Sequence, residues 1–225
     1  MLNQEIEEII HKAQDADWIM EPEAKRLLAL AGIPVPAFRW VATLPEALKA
    51  AEAIRYPVVA KVVSPDIIHK SEVHGVVVGI KDVAQLTDTF SALSKLEGFC
   101  GILIEELVPG IELIIGAKID YQFGPVILIG IGGTGVEIYQ DTALRMAPLS
   151  EKDVASMIDS LKGDKLLKGY RAAEPVDLVA LNHLMLNFSN LVMALENRFE
   201  SIDLNPVKCT ANGCFVADAR IMLSG

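Results

Sequence analysis

Two parts of the chain carry groups suited to handling phosphate. Towards the C-terminal end, Asp203 and Asn205 lie two apart, so on a strand they share one face. Asp218 can return alongside them across a turn at Asn212-Gly213. Oxygen ligands on neighbouring strands suit Mg²⁺, which takes one or two protein groups and completes its shell with phosphate and water. Polar residues closing a hairpin would read the same way. Earlier in the chain, Lys61 interrupts the apolar run VVAKVV. It is either an edge lysine whose stem snorkels outward or an ammonium aimed inward at phosphate oxygens. His69 opens the triplet His69-Lys70-Ser71. A loop histidine is commonly solvated and idle, but imidazole is partly neutral near pH 7. One ring nitrogen can then attack phosphorus without a separate base.

These groups need elements to hold them. Val58–Val63 and Val76–Ile80 are β-branched runs that read as buried strands. The polar stretch Ser64–Gly75 joins them, far longer than the about two to five residues a hairpin needs. If flexible, it has a relaxed span of about 20 Å, enough for His69 at its tip to serve two sites. His74 lies close by, whereas His11 and His183 fall on helical segments. Gly101–Val108 reads as a strand carrying Glu105 and Glu106. Glu112 follows the Pro109-Gly110 turn. As a hinge, main-chain groups there would meet an adenine edge, and a carboxylate would hold ribose hydroxyls. The plainer reading is a charged strand end. Arg145 faces phosphates or makes a surface ion pair.

Gly130, Gly132 and Gly135 match G-x-G-x-x-G after a strand. A dinucleotide fold needs a helix to open there, and VEIYQD is strand-like, so that reading is set aside. No G-x-x-x-x-G-K-[ST] occurs. What remains is a tight turn, or a loop whose backbone approaches a phosphate.

Helices are expected over Gln4–Asp15, Glu21–Ala31, Thr43–Ile54, Asp82–Leu96, Ser150–Leu161, Asp164–Lys168 and Pro175–Asn197. Strands are expected over Phe38–Val41, Glu112–Asp120, Gly124–Gly130, Val136–Tyr139, Ser201–Lys208 and Cys214–Leu223. The hairpins argue for an α+β fold with antiparallel layers. The expected division is a lobe over 20–104 and a second over 105–225, with 1–19 packing on the second.

The chain has 225 residues, 52% of them hydrophobic, and can bury a sizeable core. Its net charge of −10 argues against non-specific nucleic-acid binding, though a pocket's field can oppose the average. No apolar run reaches membrane-spanning length, and the acidic N-terminus is unlike a signal peptide. The expected location is cytoplasmic. Cys209 and Cys214 could bridge a hairpin, but buried, reduced thiols, Cys100 included, are the favoured expectation.

Taken together, YPVVAKVVSPDIIHKSEVHGVVVGI, GILIEELVPGIELIIGAKID, GPVILIGIGGTGVEIYQD, LRMAPL, LLKGYRAAEPVDL, IDLNPV and VADARI resemble the β subunit of ADP-forming acyl-CoA synthetases, relatives of succinyl-CoA synthetase. The resemblance runs from about Glu21 to Leu223. It implies an ATP-grasp fold, two α/β lobes gripping Mg-nucleotide between them. It implies the reaction acyl-CoA + ADP + phosphate ⇌ carboxylic acid + CoA + ATP. By resemblance, Lys61 and Arg145 contact phosphates. Glu105, Glu106, Leu107, Val108 and Glu112 flank the base and ribose, and Asn205 and Asp218 hold Mg²⁺. His69 resembles the family's second phosphohistidine, on a swinging loop, with Asp203 orienting it. Two positions depart from the family: His74-Gly75 stands where Gly-Gly is usual, and Thr134-Gly135 where bulkier residues are usual. CoA, the acyl group and a first phosphohistidine would sit on a separate α subunit, in an α2β2 assembly. A self-sufficient carboxylate ligase and a non-catalytic nucleotide sensor are the alternatives.

Overall fold

The computed structural model describes residues 2–133, 141–171, 174–196 and 198–224. The expected strand Val136–Tyr139 and the positions Thr134 and Gly135 lie outside them. The chain divides into a smaller unit, Pro36–Val108, and a larger one, Met1–Val35 with Pro109–Gly225.

The smaller unit is a four-stranded antiparallel sheet in the order β2-β5-β3-β4, with β2 Phe38–Val41, β3 Val58–Val63, β4 Val76–Ile80 and β5 Gly101–Glu106. Helices α3 (Leu44–Ile54) and α4 (Val83–Leu93) cover one face. Val58, Ala60 and Val62 of β3 alternate into that core beside Ile102 and Ile104. Helix α3 starts at Thr43, where the Glu46 carboxylate accepts from Thr43 N at 3.1 Å and Oγ at 2.9 Å. Those hydrogen bonds, that of the Thr43 hydroxyl first, hold the Glu46 carboxyl below its ordinary range.

The larger unit is an antiparallel sheet ordered β1-β11-β9-β6-β7-β8, with β10 also on β9. Its strands are β1 Trp18–Ile19, β6 Ile111–Asp120, β7 Gly124–Ile131, β8 Thr142–Met146, β9 Phe199–Thr210, β10 Gly213–Val216 and β11 Ala219–Leu223. Its helices are α1 Gln4–Ala13, α2 Glu21–Leu30, α5 Glu151–Ser160, α6 Asp164–Leu167 and α7 Leu178–Leu195. Leu113, Ile115, Ile127, Ile129, Ile202, Leu204 and Val207 pack with Leu27, Leu28, Met157, Leu181, Leu184 and Phe188 in one core. Helix α7 is apolar and, at 18 residues, reaches membrane-spanning length, contrary to the expectation, but its buried face is part of that core.

The structure differs from several expectations. Helix α2 belongs to the larger unit, because Ala24, Leu27 and Leu28 bury against that core, and the boundary falls at Val108 rather than Glu105. Strand β8 was not expected at all. The closing strand Cys214–Leu223 is split into β10 and β11 opposite Pro206, which has no N–H to give to a ladder. Cys209 and Cys214 are cross-strand partners joined by a disulfide, and Cys100 is exposed rather than buried.

Candidate active site

Lys61 lies on β3, between β5 and β4, and is 5% exposed. It is therefore no edge lysine. Its ammonium stands 3.2 Å from the Glu105 carboxylate on the neighbouring strand. Placing both charges out of water costs several kcal/mol, roughly, which the pair's attraction only partly offsets. The sheet carries that cost at the face away from α3 and α4, where Lys61 alternates with Ala60 and Val62. Glu106 is exposed, and its carboxylate accepts from Ala37 N at 3.3 Å while its own N–H donates to Ala37 O at 2.9 Å. It is thereby engaged in holding the chain that enters β2. Leu107 and Val108 follow the last ladder pair, Glu106 with Val58, so their main-chain groups lie outside the sheet.

The His69 loop is rooted at both ends, not twelve free residues. Ser64 Oγ donates to Glu97 O at 2.8 Å and accepts from Asp66 N at 3.1 Å. Ile67 is buried in the core. Gly75 N donates to Lys70 O at 2.7 Å, and Val62 N to Gly75 O at 2.8 Å. Between those anchors Glu72 N donates to His69 O at 3.2 Å and His74 N to Ser71 O at 3.4 Å. His69 is exposed on this compact turn, with Lys70 buried beside it. His74 holds a φ of 55°, a left-handed conformation that suits glycine better, so the departure from Gly-Gly is accommodated with strain.

In the larger unit, strand alternation sorts the remaining candidates between two faces. Leu113, Ile115 and Ala117 of β6, and Ile202 and Leu204 of β9, point to the helices. Glu112, Asp203 and Asn205 therefore point the other way. A bulge at Asn205 and Pro206, opposite Ile114, keeps Val207 in the core and returns Lys208 to the open face. Asn205 N donates to Asp218 O at 3.1 Å, which sets these residues side by side across the strands. Asp218 Oδ1 also accepts from Ala219 N at 2.9 Å. Asn205 on β9 and Asp218, in the link between β10 and β11, are one amide and one carboxylate of the kind that suits Mg²⁺, whose other positions go to phosphate and water. Among the described residues no three His, Cys, Asp or Glu side chains cluster as a metal cage.

Arg145 is placed apart from these groups. It shares a face with Ala143, which is buried in the core, and it lies opposite Ile127. Its guanidinium donates to Ser156 Oγ on α5 at 3.0 Å and to Leu144 O at 2.8 Å. The face carrying Glu112, Asp203 and Asn205 is the other one. Two cations there are ones that sequence reasoning missed. Arg220 stands 2.7 Å from Asp203, and Lys208 stands 2.6 Å from Glu112. Both are cross-strand partners, invisible until the registers Asp203 with Arg220 and Glu112 with Lys208 are known.

The model of the ATP-grasp domain matches residues 11–223. The chain is 39% identical to the β subunit of acetate–CoA ligase [ADP-forming] II of Pyrococcus furiosus, over 98% of this chain and 97% of that one. The chain belongs to the β subunits of the ADP-forming acetate–CoA ligases. Within this ligase family the same segment also occurs inside longer chains. The 4-hydroxybutyrate–CoA ligase [ADP-forming] of Nitrosopumilus maritimus is 39% identical over 91% of this chain but only 31% of its own length. Among solved structures, the dinucleotide forming acetyl-coenzyme A synthetase 1 of Ca. Korarchaeum cryptofilum superposes with a TM-score of 0.86 at 37% identity, covering 97% of this chain and all of that one. That relative holds coenzyme A and Mg-AMPPCP, and its phosphohistidine segment points towards the nucleotide binding site.

Proposed function

We propose that this chain is the nucleotide-handling β subunit of an ADP-forming acyl-CoA ligase, and that His69 carries phosphate between nucleotide and a partner subunit. The observation that carries the reading is His69 itself, exposed on a turn anchored at both ends within an ATP-grasp chain. In the ATP-forming direction the partner converts acyl-CoA and phosphate to acyl phosphate and CoA. A first histidine on the partner takes the phosphoryl group, releasing the carboxylate, and an imidazole nitrogen of His69 then takes it from that histidine as the first P–N bond breaks. Finally a β-phosphate oxygen of ADP attacks that phosphorus, the P–N bond breaks, and ATP leaves. Phosphoryl transfer asks for positioning and charge neutralisation more than for covalent machinery.

In this reading Lys61 neutralises phosphate charge, with Glu105 fixing its ammonium. Leu107 and Val108 offer main-chain groups to the base, and Glu112 accepts from ribose hydroxyls. Asn205 and Asp218 hold Mg²⁺, which neutralises phosphate oxygens when bound. Asp203, set by Arg220, orients the histidine.

The partner is a CoA-binding α subunit, and the assembly is α2β2. The longer relatives carry this segment beside further sequence within one chain, which supports a partner of that kind. Tyr121, Phe123, Leu144 and Met146, each at least half exposed, are apolar surface such a partner would cover. ADP and CoA are cytoplasmic substrates, and a cytoplasmic location belongs to the same proposal.

The test is labelling with γ-labelled ATP and Mg²⁺. The reading expects an acid-labile, base-stable label on wild type that disappears in His69→Asn. Nucleotide binding without a label, even with the partner, CoA and acid present, would leave a sensor. Turnover retained by His69→Asn would leave a conventional ligase.

A further inference from the structure

We propose that Lys208 is a positioning residue for the nucleotide, fixing Glu112 so that the pair reads a ribose diol. The inference rests on the nucleotide reading above and adds to it residues that the family resemblance did not supply.

Glu112 is held from two sides. Across the β6–β9 ladder, Lys208 Nζ stands 2.6 Å from Glu112 Oε1. Behind it, Gly132 N donates to Glu112 O at 2.6 Å. A Cβ at Gly132 would lie 2.8 Å from the Glu112 carbonyl and 2.9 Å from its Cβ, so only glycine lets that segment close on Glu112. Gly133 comes next, and a Cβ there would be 3.7 Å from Glu112 Oε2. The glycine cluster thus has a use that the dinucleotide and P-loop readings did not offer. Its backbone is a wall against which one carboxylate is set.

Stability does not account for this construction. The lysine and glutamate side chains are 23% and 37% exposed, and ion pairs that wet contribute little to folding. What the pair does achieve is orientation. A free glutamate would sample several rotamers, whereas an ammonium on Oε1 and a glycine wall behind leave one presentation. A vicinal diol has hydroxyls that donate and accept. A fixed carboxylate takes their protons, and the adjacent ammonium donates to a hydroxyl oxygen. Two deoxygenated carbons would leave both groups unmatched, which is how a polar site rejects an analogue.

The experiment titrates ADP and 2′,3′-dideoxy-ADP, each with Mg²⁺, into the assembled enzyme. Wild type should prefer ADP. In Lys208→Met the affinity for ADP should fall about tenfold, the order expected for a lost charge-assisted bond, while dideoxy-ADP changes less than about twofold. Lys208→Arg should keep most of the preference. Gly132→Ala, which leaves both charges in place but pushes Glu112 aside, should lose it as Lys208→Met does. An unchanged preference in Lys208→Met, or an equal loss for both ligands, overturns the inference while the nucleotide reading stands. Failure of wild type to bind either ligand overturns both.

Discussion

Gly98→Ala tests whether the His69 loop is rooted as described. Gly98 has a φ of 62°, where an L side chain is strained by about 1 kcal/mol. A Cβ there would overlap the Asp66 carboxylate and stand 2.6 Å from Ser64 Oγ. Asp66 is exposed and can swing away cheaply. Ser64 is 3% exposed and its hydroxyl is bonded to Glu97 O, so moving it sacrifices a buried hydrogen bond of about 1 kcal/mol. The two terms together come to about 2 kcal/mol, or roughly 4–8 °C in melting temperature for a chain of this size. Asp66→Ala alone should cost little, and the double variant should cost less than the sum of the two singles. Urea denaturation and calorimetry read the stability, and the initial rate of ATP-dependent labelling reads the loop. The account expects labelling to slow together with the stability loss. A Gly98→Ala variant with wild-type stability and wild-type labelling would refute the rooted loop.

Other predictions are shorter. Asp218→Asn should raise the Mg²⁺ concentration for half-maximal labelling about tenfold while the protein stays folded, read by Mg²⁺ titration and circular dichroism. Arg145→Ala should leave ADP affinity within about twofold of wild type, because its hydrogen bonds go to α5 and Leu144 rather than to the open face. A clear loss of ADP affinity would restore the phosphate role given it by resemblance. Glu46→Gln concerns pH. The Glu46 carboxyl is held low when folded, chiefly by the Thr43 hydroxyl, so its contribution is present above the ordinary carboxylate range and lost as pH falls below it. Melting curves of wild type and Glu46→Gln should therefore differ at pH 7 and converge below about pH 4. A gap that widens in acid would show the sign to be wrong.

Particular residues show what was legible in the sequence. Lys61, His69 and the glutamates near the end of β5 stood out because charge in a β-branched run, or in an overlong loop, violates the local pattern. The helix starts at Thr43 and Ser150 were legible because capping boxes are local, and both cap structures are present. Strand β8, which carries Arg145, is illegible in the sequence. In TALRM only Ala143 is buried, so the strand has almost no hydrophobic alternation to detect. The turn was also off by one. Thr210 pairs with Gly213, leaving Ala211 and Asn212 as the loop, and a one-residue shift of a turn moves every partner across the hairpin. That is why Arg220 went unseen beside Asp203, and Lys208 beside Glu112 needed a ladder between strands far apart in the chain. Helix α2 revealed its apolar face but not which sheet would bury it. That choice depends on tertiary packing and lies outside any local window.

The most direct measurement begins with labelled phospho-His69 chain, freed of nucleotide and split into two portions. One receives ADP and Mg²⁺, and the other Mg²⁺ alone. The account predicts rapid loss of label from the first portion with its recovery as γ-labelled ATP, and a stable label in the second. Label that stays on the chain with ADP, or leaves as free phosphate at the same rate in both portions, would contradict a histidine that returns phosphate to nucleotide.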